Sequence, residues 1–295
     1  MSTSETLVEK PADVIPAAQS APEAPAVIVI RPSRGWVAVN LRDVWEYREL
    51  LYFMVWRDVK VRYKQTLLGV AWVVLQPLAT TLVFTIIFGN LARMPSDNLP
   101  YALFALAGLI PWNYFASAFA RGGTSLVSSA NLISKVYFPR LIIPLSSVLG
   151  GLVDTAIVLV MLLVLMPFFG IVPTAAILTL PLFLLLAIAT ALGISLWLTA
   201  LNVQYRDVSY VIPFIGQFWF YATPVVYPAS LIPEQWRWLY GLNPMTGVVE
   251  GFRWALFGKE PPGYLLAVSV VIVIVLIVSG SFVFRRMEKT FADVV

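Results

Sequence analysis

Asp154 is the one acidic residue set deep within a long apolar run of this sequence. A carboxylate at the centre of an apolar helix costs about 2.5–3.5 kcal/mol on insertion scales, so it must face protein or water. Two roles answer that requirement: a proton or ion site, or a hydrogen-bond acceptor between helices. No second acid or base stands in the apolar runs to complete a relay, which favours the structural role. A second candidate is the segment 131–140, Asn-Leu-Ile-Ser-Lys-Val-Tyr-Phe-Pro-Arg. Its Tyr137-Phe138 pair, flanked by Lys135, Pro139 and Arg140, suits insertion into a groove on a soluble partner, because aromatics and Arg dominate interface hot spots. An aromatic anchor at the membrane surface explains the same residues. Glu250 and Arg253 form a third pair, at the i, i+3 spacing that permits an ion pair on a helix.

The parts of an enzyme are missing. The chain has no His and no Cys, which removes imidazole and thiol chemistry, disulfides and the commonest metal ligands. It has no G-x-x-x-x-G-K-[ST] phosphate loop, nucleophile elbow or zinc-site spacing. The expectation is a chain without catalytic residues, metal or cofactor, and without nucleic-acid chemistry. Work against a gradient must draw its energy from a partner or from ion coupling. The Gly122-Gly123 and Gly150-Gly151 pairs read as close-packing or hinge positions.

The elements that position these residues lie in lipid. Of 295 residues, 59% are hydrophobic and only 12% charged, against roughly 45–50% and 25% in soluble domains. Apolar runs of about 20 residues match the roughly 30 Å hydrocarbon core when helical. They lack the alternation of barrel strands, and in lipid the backbone must satisfy itself. The fold class expected is an all-α membrane protein with six transmembrane helices, near 67–91, 99–120, 141–169, 175–201, 208–227 and 264–284. The net charge is only +4, but Lys and Arg are unevenly placed. Arg57, Lys60, Arg62, Lys64, Arg121, Lys135, Arg140, Arg206, Arg285, Arg286 and Lys289 fall on one side, and Arg93, Arg237, Arg253 and Lys259 on the other. The positive-inside rule makes the first side cytoplasmic, together with both termini.

Residues 1–35 are rich in Ala, Pro, Ser and Glu and read as a disordered cytoplasmic tail. An N-terminal amphipathic helix follows within 36–65: Tyr47, Leu50, Leu51, Met54 and Val55 form one stripe, opposite Glu46, Glu49, Arg57, Lys60 and Lys64. Its basic end suits anionic headgroups. The six-helix domain occupies 66–285, and 286–295 is a cytoplasmic C-terminal tail. Between the fifth and sixth spans, residues 228–263 are too apolar for a water-exposed loop and are divided by prolines. They read as short re-entrant helices, a plug or a gate, packed on protein. Aromatics recur within the spans, as at Phe218–Tyr221, and some could stack against sugar rings.

Several segments together resemble the permease subunits of ABC-2-type polysaccharide exporters. They are Trp56-Arg57-Asp58-Val59-Lys60-Val61-Arg62-Tyr63-Lys64-Gln65-Thr66-Leu67-Leu68-Gly69, Ala71-Trp72, Leu75-Gln76-Pro77, Lys135-Val136-Tyr137-Phe138-Pro139-Arg140, Ala200-Leu201-Asn202-Val203-Gln204-Tyr205-Arg206-Asp207, Thr223-Pro224-Val225-Val226-Tyr227-Pro228, Leu242-Asn243-Pro244-Met245 and Phe252-Arg253-Trp254. The resemblance implies a multi-pass protein of the cytoplasmic membrane, a homodimer paired with two copies of a separate ATPase that binds the ATP and Mg. Its cargo would be a lipid-linked polysaccharide of O-antigen, capsule or teichoic-acid type. Lys135, Tyr137, Phe138, Pro139 and Arg140 would then be the coupling segment. Trp56, Arg57, Asp58, Lys60, Arg62, Tyr63 and Lys64, with Asn202, Tyr205, Arg206 and Asp207, would form the rest of the cytoplasmic interface. Gln76, Pro77, Gln217, Phe218, Trp219 and Tyr221 would lie near a channel, and Pro244, Glu250, Arg253 and Trp254 in an external gate. The alternatives are an ABC-2 exporter of a small lipophilic molecule, or an ion-coupled carrier using Asp154.

Overall fold

Twelve α-helices carry the described chain of this computed structural model, which comprises residues 41–64, 69–258, 261–289 and Phe291. The expected N-terminal tail, residues 36–40 and residues 65–68 lie outside them. In order the helices are α1 (Leu41–Glu46), α2 (Arg48–Lys64), α3 (Gly69–Phe84), α4 (Tyr101–Ser128), α5 (Ala130–Ile133), α6 (Ile142–Leu149) and α7 (Leu152–Phe168). They continue with α8 (Leu180–Gln204), α9 (Val208–Ala222), α10 (Glu234–Gly241), α11 (Pro244–Phe257) and α12 (Gly263–Glu288). No strand occurs among the described residues.

Among the described residues, five stretches are long and apolar enough to cross a membrane: Ala71–Leu91, Tyr101–Ser128, Ile142–Phe168, Ala175–Gln204 and Gly263–Glu288. The first passes through Pro77 and ends in a π-helical turn, Thr85–Leu91. Helix α4 is the hub, with α3, α6, α7, α8, α9 and α11 packed around it. It runs well beyond the stretch expected from hydropathy, so Arg121 sits within a helix rather than in a loop. Small residues permit that extension. A Cβ on Gly122 would lie 2.6 Å from the Cβ of Ser195 on α8, so only glycine lets the two backbones approach this closely. Gly150-Gly151 interrupts the third apolar run, separating α6 from α7.

The fifth expected span is shorter than hydropathy suggested. Helix α9 has 15 residues, about 22 Å at 1.5 Å per residue. It nevertheless joins the two ends of the bundle. Its start follows the end of α8, whose Val203 packs with Leu126 at the end of α4. Just past its end, the Val226 carbonyl accepts a 2.6 Å hydrogen bond from Tyr101 Oη, at the start of α4. Leaving the helix at Thr223 strips backbone carbonyls of partners, which an apolar medium does not forgive. Arg253 of α11 supplies them: Nη1 donates to Pro224 O at 2.8 Å and Nη2 to Val225 O at 2.6 Å.

Helix α11 has clear boundary signals. Pro244 fills the first helical position, the Asn243 side chain accepts from Met245 N at 3.0 Å, and Gly258 closes the helix in the left-handed region at φ 65°. Most of α11 is buried, so this part of the connection between α9 and α12 is packed on protein, whereas α10 is largely exposed.

Candidate coupling and transport site

At the end of the bundle where the basic residues gather, a second small core forms around Met54, Leu126, Phe138, Leu141, Val203 and Phe284. Helix α2 lays its predicted stripe on this core: Met54 is buried, and Tyr47, Leu50 and Leu51 pack against it. The outward side is not purely polar. Trp45, Tyr52, Phe53 and Trp56 are all more than half exposed, interleaved with charged side chains. Hydropathy periodicity registered the inner stripe and missed this outer aromatic face. Arg57, Lys60 and Lys64 are exposed, and Asp58 accepts from Arg57 at 2.9 Å.

Helix α2 is fastened to the third apolar run through Asp154. Its carboxylate accepts from Arg62 Nη1 and from Tyr63 Oη. Burial, reinforced by the hydrogen bond and negative charge of Asp154, pushes the Tyr63 phenol up to about 12. The sequence suggested an acid deep within a span. In the fold it lies near the middle of the Ile142–Phe168 stretch, in the first turn of α7 just past Gly150-Gly151, and within reach of the basic end of α2. An acid so engaged is an acceptor between helices.

The segment after α5 turns its side chains two ways. Lys135, Val136 and Tyr137 are exposed, Tyr137 at 73%, whereas Phe138 is 6% exposed within the small core. The expectation that Tyr137 and Phe138 dock together is therefore corrected: Phe138 is spent on the chain's own packing. Arg140 is also engaged internally, through Nη1 to the Glu288 carbonyl and with its guanidinium 5.9 Å from the Phe291 ring. Residues Ile133–Phe138 and Arg140 line a shallow notch of about 210 Å³ beside Tyr137. Of the group at the end of α8, Tyr205, Arg206 and Asp207 are exposed but Asn202 is buried, so it is removed from the expected surface.

Of the residues assigned to a channel, Gln76, Gln217, Phe218 and Tyr221 are exposed. Pro77 is buried, and Trp219 turns inward, donating to Asn243 Oδ1 at 2.9 Å with its ring 5.1 Å from Phe115. Both come off the open face. The residues missed are Tyr210 and Phe214, which with Phe218 make an exposed aromatic ridge at i, i+4, i+8. That spacing was visible in the sequence but lay outside the Phe218–Tyr221 cluster.

At the opposite end of the bundle, Glu250 and Arg253 meet at 2.8 Å as their spacing predicted. Arg253 does more than pair: it is 3% exposed, holds the two carbonyls after α9, and lies 3.6 Å over the Phe104 ring. Pro244 is buried and Trp254 half-buried. The pieces expected of a gate are therefore clamped to α4 and to the end of α9.

The arrangement has relatives along almost its whole length. The ABC-2 type transporter family profile matches residues 49–257. An O-antigen export system permease protein, RfbA, of Myxococcus xanthus is 31% identical over 261 residues, covering 86% of this chain and 98% of that protein. A protein of the same name from Klebsiella pneumoniae is 29% identical over 248 residues, 83% and 95% of the two chains. The polysialic acid transport protein KpsM of Escherichia coli is 28% identical over 218 residues, 71% and 80% of the two. With its apolar helices, the chain is a multi-pass membrane protein and belongs to the ABC-2 type transporter family.

Proposed function

We propose that this chain is the channel-forming subunit of an ATP-driven exporter that carries lipid-linked polysaccharide across the cytoplasmic membrane. The observation that carries this reading is the near full-length similarity to permeases named for O-antigen export, extending to the polysialic acid transport protein. Chains of this family are transport subunits rather than enzymes, and their ATPase is a separate subunit. The working assembly is a homodimer with two ATPase copies. Its subunits cross the membrane six times, α9 being the short crossing, with both termini cytoplasmic. The run of α9 between the two ends of the bundle supports that count.

The exposed Tyr137, with Lys135 and Val136 around it, is the contact offered to the ATPase. Behind it, Phe138 and Arg140 tie the same segment to α2 and to the end of α12. Motion imposed on Tyr137 is thus passed to several helices at once rather than lost in a floppy loop. Taking a channel from mostly closed to mostly open needs about 5.5 kcal/mol of differential stabilisation, which only a firm contact of this kind transmits. Asp154, the residue an ion-coupled carrier would use, is already held by Arg62 and Tyr63, and its engagement supports ATP rather than an ion gradient as the drive.

The deciding experiment deletes the chain from its host and analyses surface and intracellular glycans. Export predicts loss of one surface polysaccharide and its accumulation, lipid-linked, inside the cell. Unchanged surface glycans would overturn the reading.

A further inference from the structure

A cavity of about 520 Å³ opens at the gate end of the bundle, between the turn at 97–99, helices α10 and α11 and the start of α12. This volume is within the roughly 300–1,000 Å³ of small-molecule sites. Its wall combines aromatic surface with hydrogen-bonding groups. Trp254 and Tyr264 supply aromatic surface, while Asp97, Asn98 and Glu250 supply hydrogen-bonding groups. Asp97 and Asn98 both have left-handed backbones, at φ 51° and 60°, a conformation these two residue types tolerate. That turn brings them side by side onto the rim.

Charge bookkeeping narrows the ligand class. The described lining holds two acids, Asp97 and Glu250, and two arginines, Arg237 and Arg253, so the charges cancel. Each is also engaged by a neighbour: Glu250 by Arg253 at 2.8 Å, Asp97 by Ser230 Oγ at 3.1 Å, and Arg237 by the Ile232 carbonyl at 3.2 Å. A free anion or cation would find no excess charge. Fixed planar polar groups beside aromatic faces match a neutral polyol ring: its hydroxyls take up the polar groups, and its apolar face lies on an aromatic.

We propose that this cavity is a carbohydrate subsite, which holds a short neutral stretch of glycan at the outer mouth. The proposal rests on the export reading for its physiological ligand. Occupancy would hold emerging glycan against α11 and oppose its return.

The test uses the full chain in lipid nanodiscs and saturation-transfer NMR with a panel of neutral hexose and deoxyhexose disaccharides. Saturable binding of at least one disaccharide is expected, weakened fivefold or more by Tyr264→Ala and by Asp97→Asn, and not displaced by equimolar inorganic phosphate. Both substituted residues are exposed, so neither variant is expected to unfold the bundle. Absence of saturable binding, binding indifferent to both variants, or displacement by phosphate would each overturn the subsite. The deletion experiment above is scored separately: surface glycan that survives deletion overturns export, while the disaccharide titration still decides the cavity.

Discussion

Between Tyr137 and Phe138 the side chains part company for a local reason. Phe138 precedes Pro139, and the residue before a proline is held in extended backbone, where neighbouring side chains point to opposite sides. One ring therefore goes outward and the other into the core. Tyr137→Ala should leave thermal stability within about 0.5 kcal/mol of the parent, as exposed substitutions do, while uncoupling ATP hydrolysis from glycan export. Phe138→Ala should cost about 3–5 kcal/mol through a cavity, seen as a lowered melting temperature in detergent. Normal export by Tyr137→Ala would remove Tyr137 from the coupling role. A pH effect belongs to this scale too. The Tyr63 phenol is raised from 10.0 to about 12. Its contribution to docking α2 is full below pH 10 and is lost as pH rises through about 12. Hydrogen exchange in α2 should therefore accelerate between those values. In Asp154→Asn the acceleration should begin at lower pH, and an unchanged profile would mean the hydroxyl–carboxylate bond contributes nothing.

Elements in this chain are held together by close approach, since lipid offers no strong hydrophobic drive between helices. The tightest case is α4 on α8 at Gly122. Gly122→Ala would put a methyl group 2.6 Å from Ser195 Cβ. The clash should cost about 1–3 kcal/mol, as overpacking does. Pairing it with Ser195→Gly should recover part of the loss in melting temperature, and no recovery would mean the helices do not meet there. Arg253 plays the corresponding role for the break after α9. A guanidinium has donors enough to bind two carbonyls and a carboxylate together, which a lysine ammonium cannot match in geometry. The Glu250 pairing follows from helical spacing, but the carbonyls lie 28 and 29 positions away in the chain and carry no local signal.

At the scale of the molecule, α9 presents a ridge of Tyr210, Phe214 and Phe218 that is left exposed among the described residues. In the proposed homodimer this ridge lies near the channel axis. The absence of native cysteine makes single-cysteine cross-linking direct. Phe218→Cys should form a disulfide-linked dimer under mild oxidation in native membranes, because bridging needs Cα atoms within about 7 Å. Val160→Cys, on α7 and 59% exposed, should not. Cross-linking at Val160 with none at Phe218 would move the dimer axis to another face.

Several features of this protein are determined by composition and spacing alone. They include residence in a bilayer, helical class and the inner stripe of α2, because each depends on side-chain chemistry summed over a window or repeated at 3.6 residues. The Glu250–Arg253 pair and the start and stop of α11 belong with them, since caps and i, i+3 contacts are local. Tertiary structure decided which face each aromatic takes and where each charge finds its partner. Phe138, Asn202 and Trp219 turned inward, and Asp154 proved to be the acceptor for Arg62 and Tyr63, more than 90 positions earlier in the chain. No window of sequence contains those neighbours, because contacts between distant helices are set by how the helices pack.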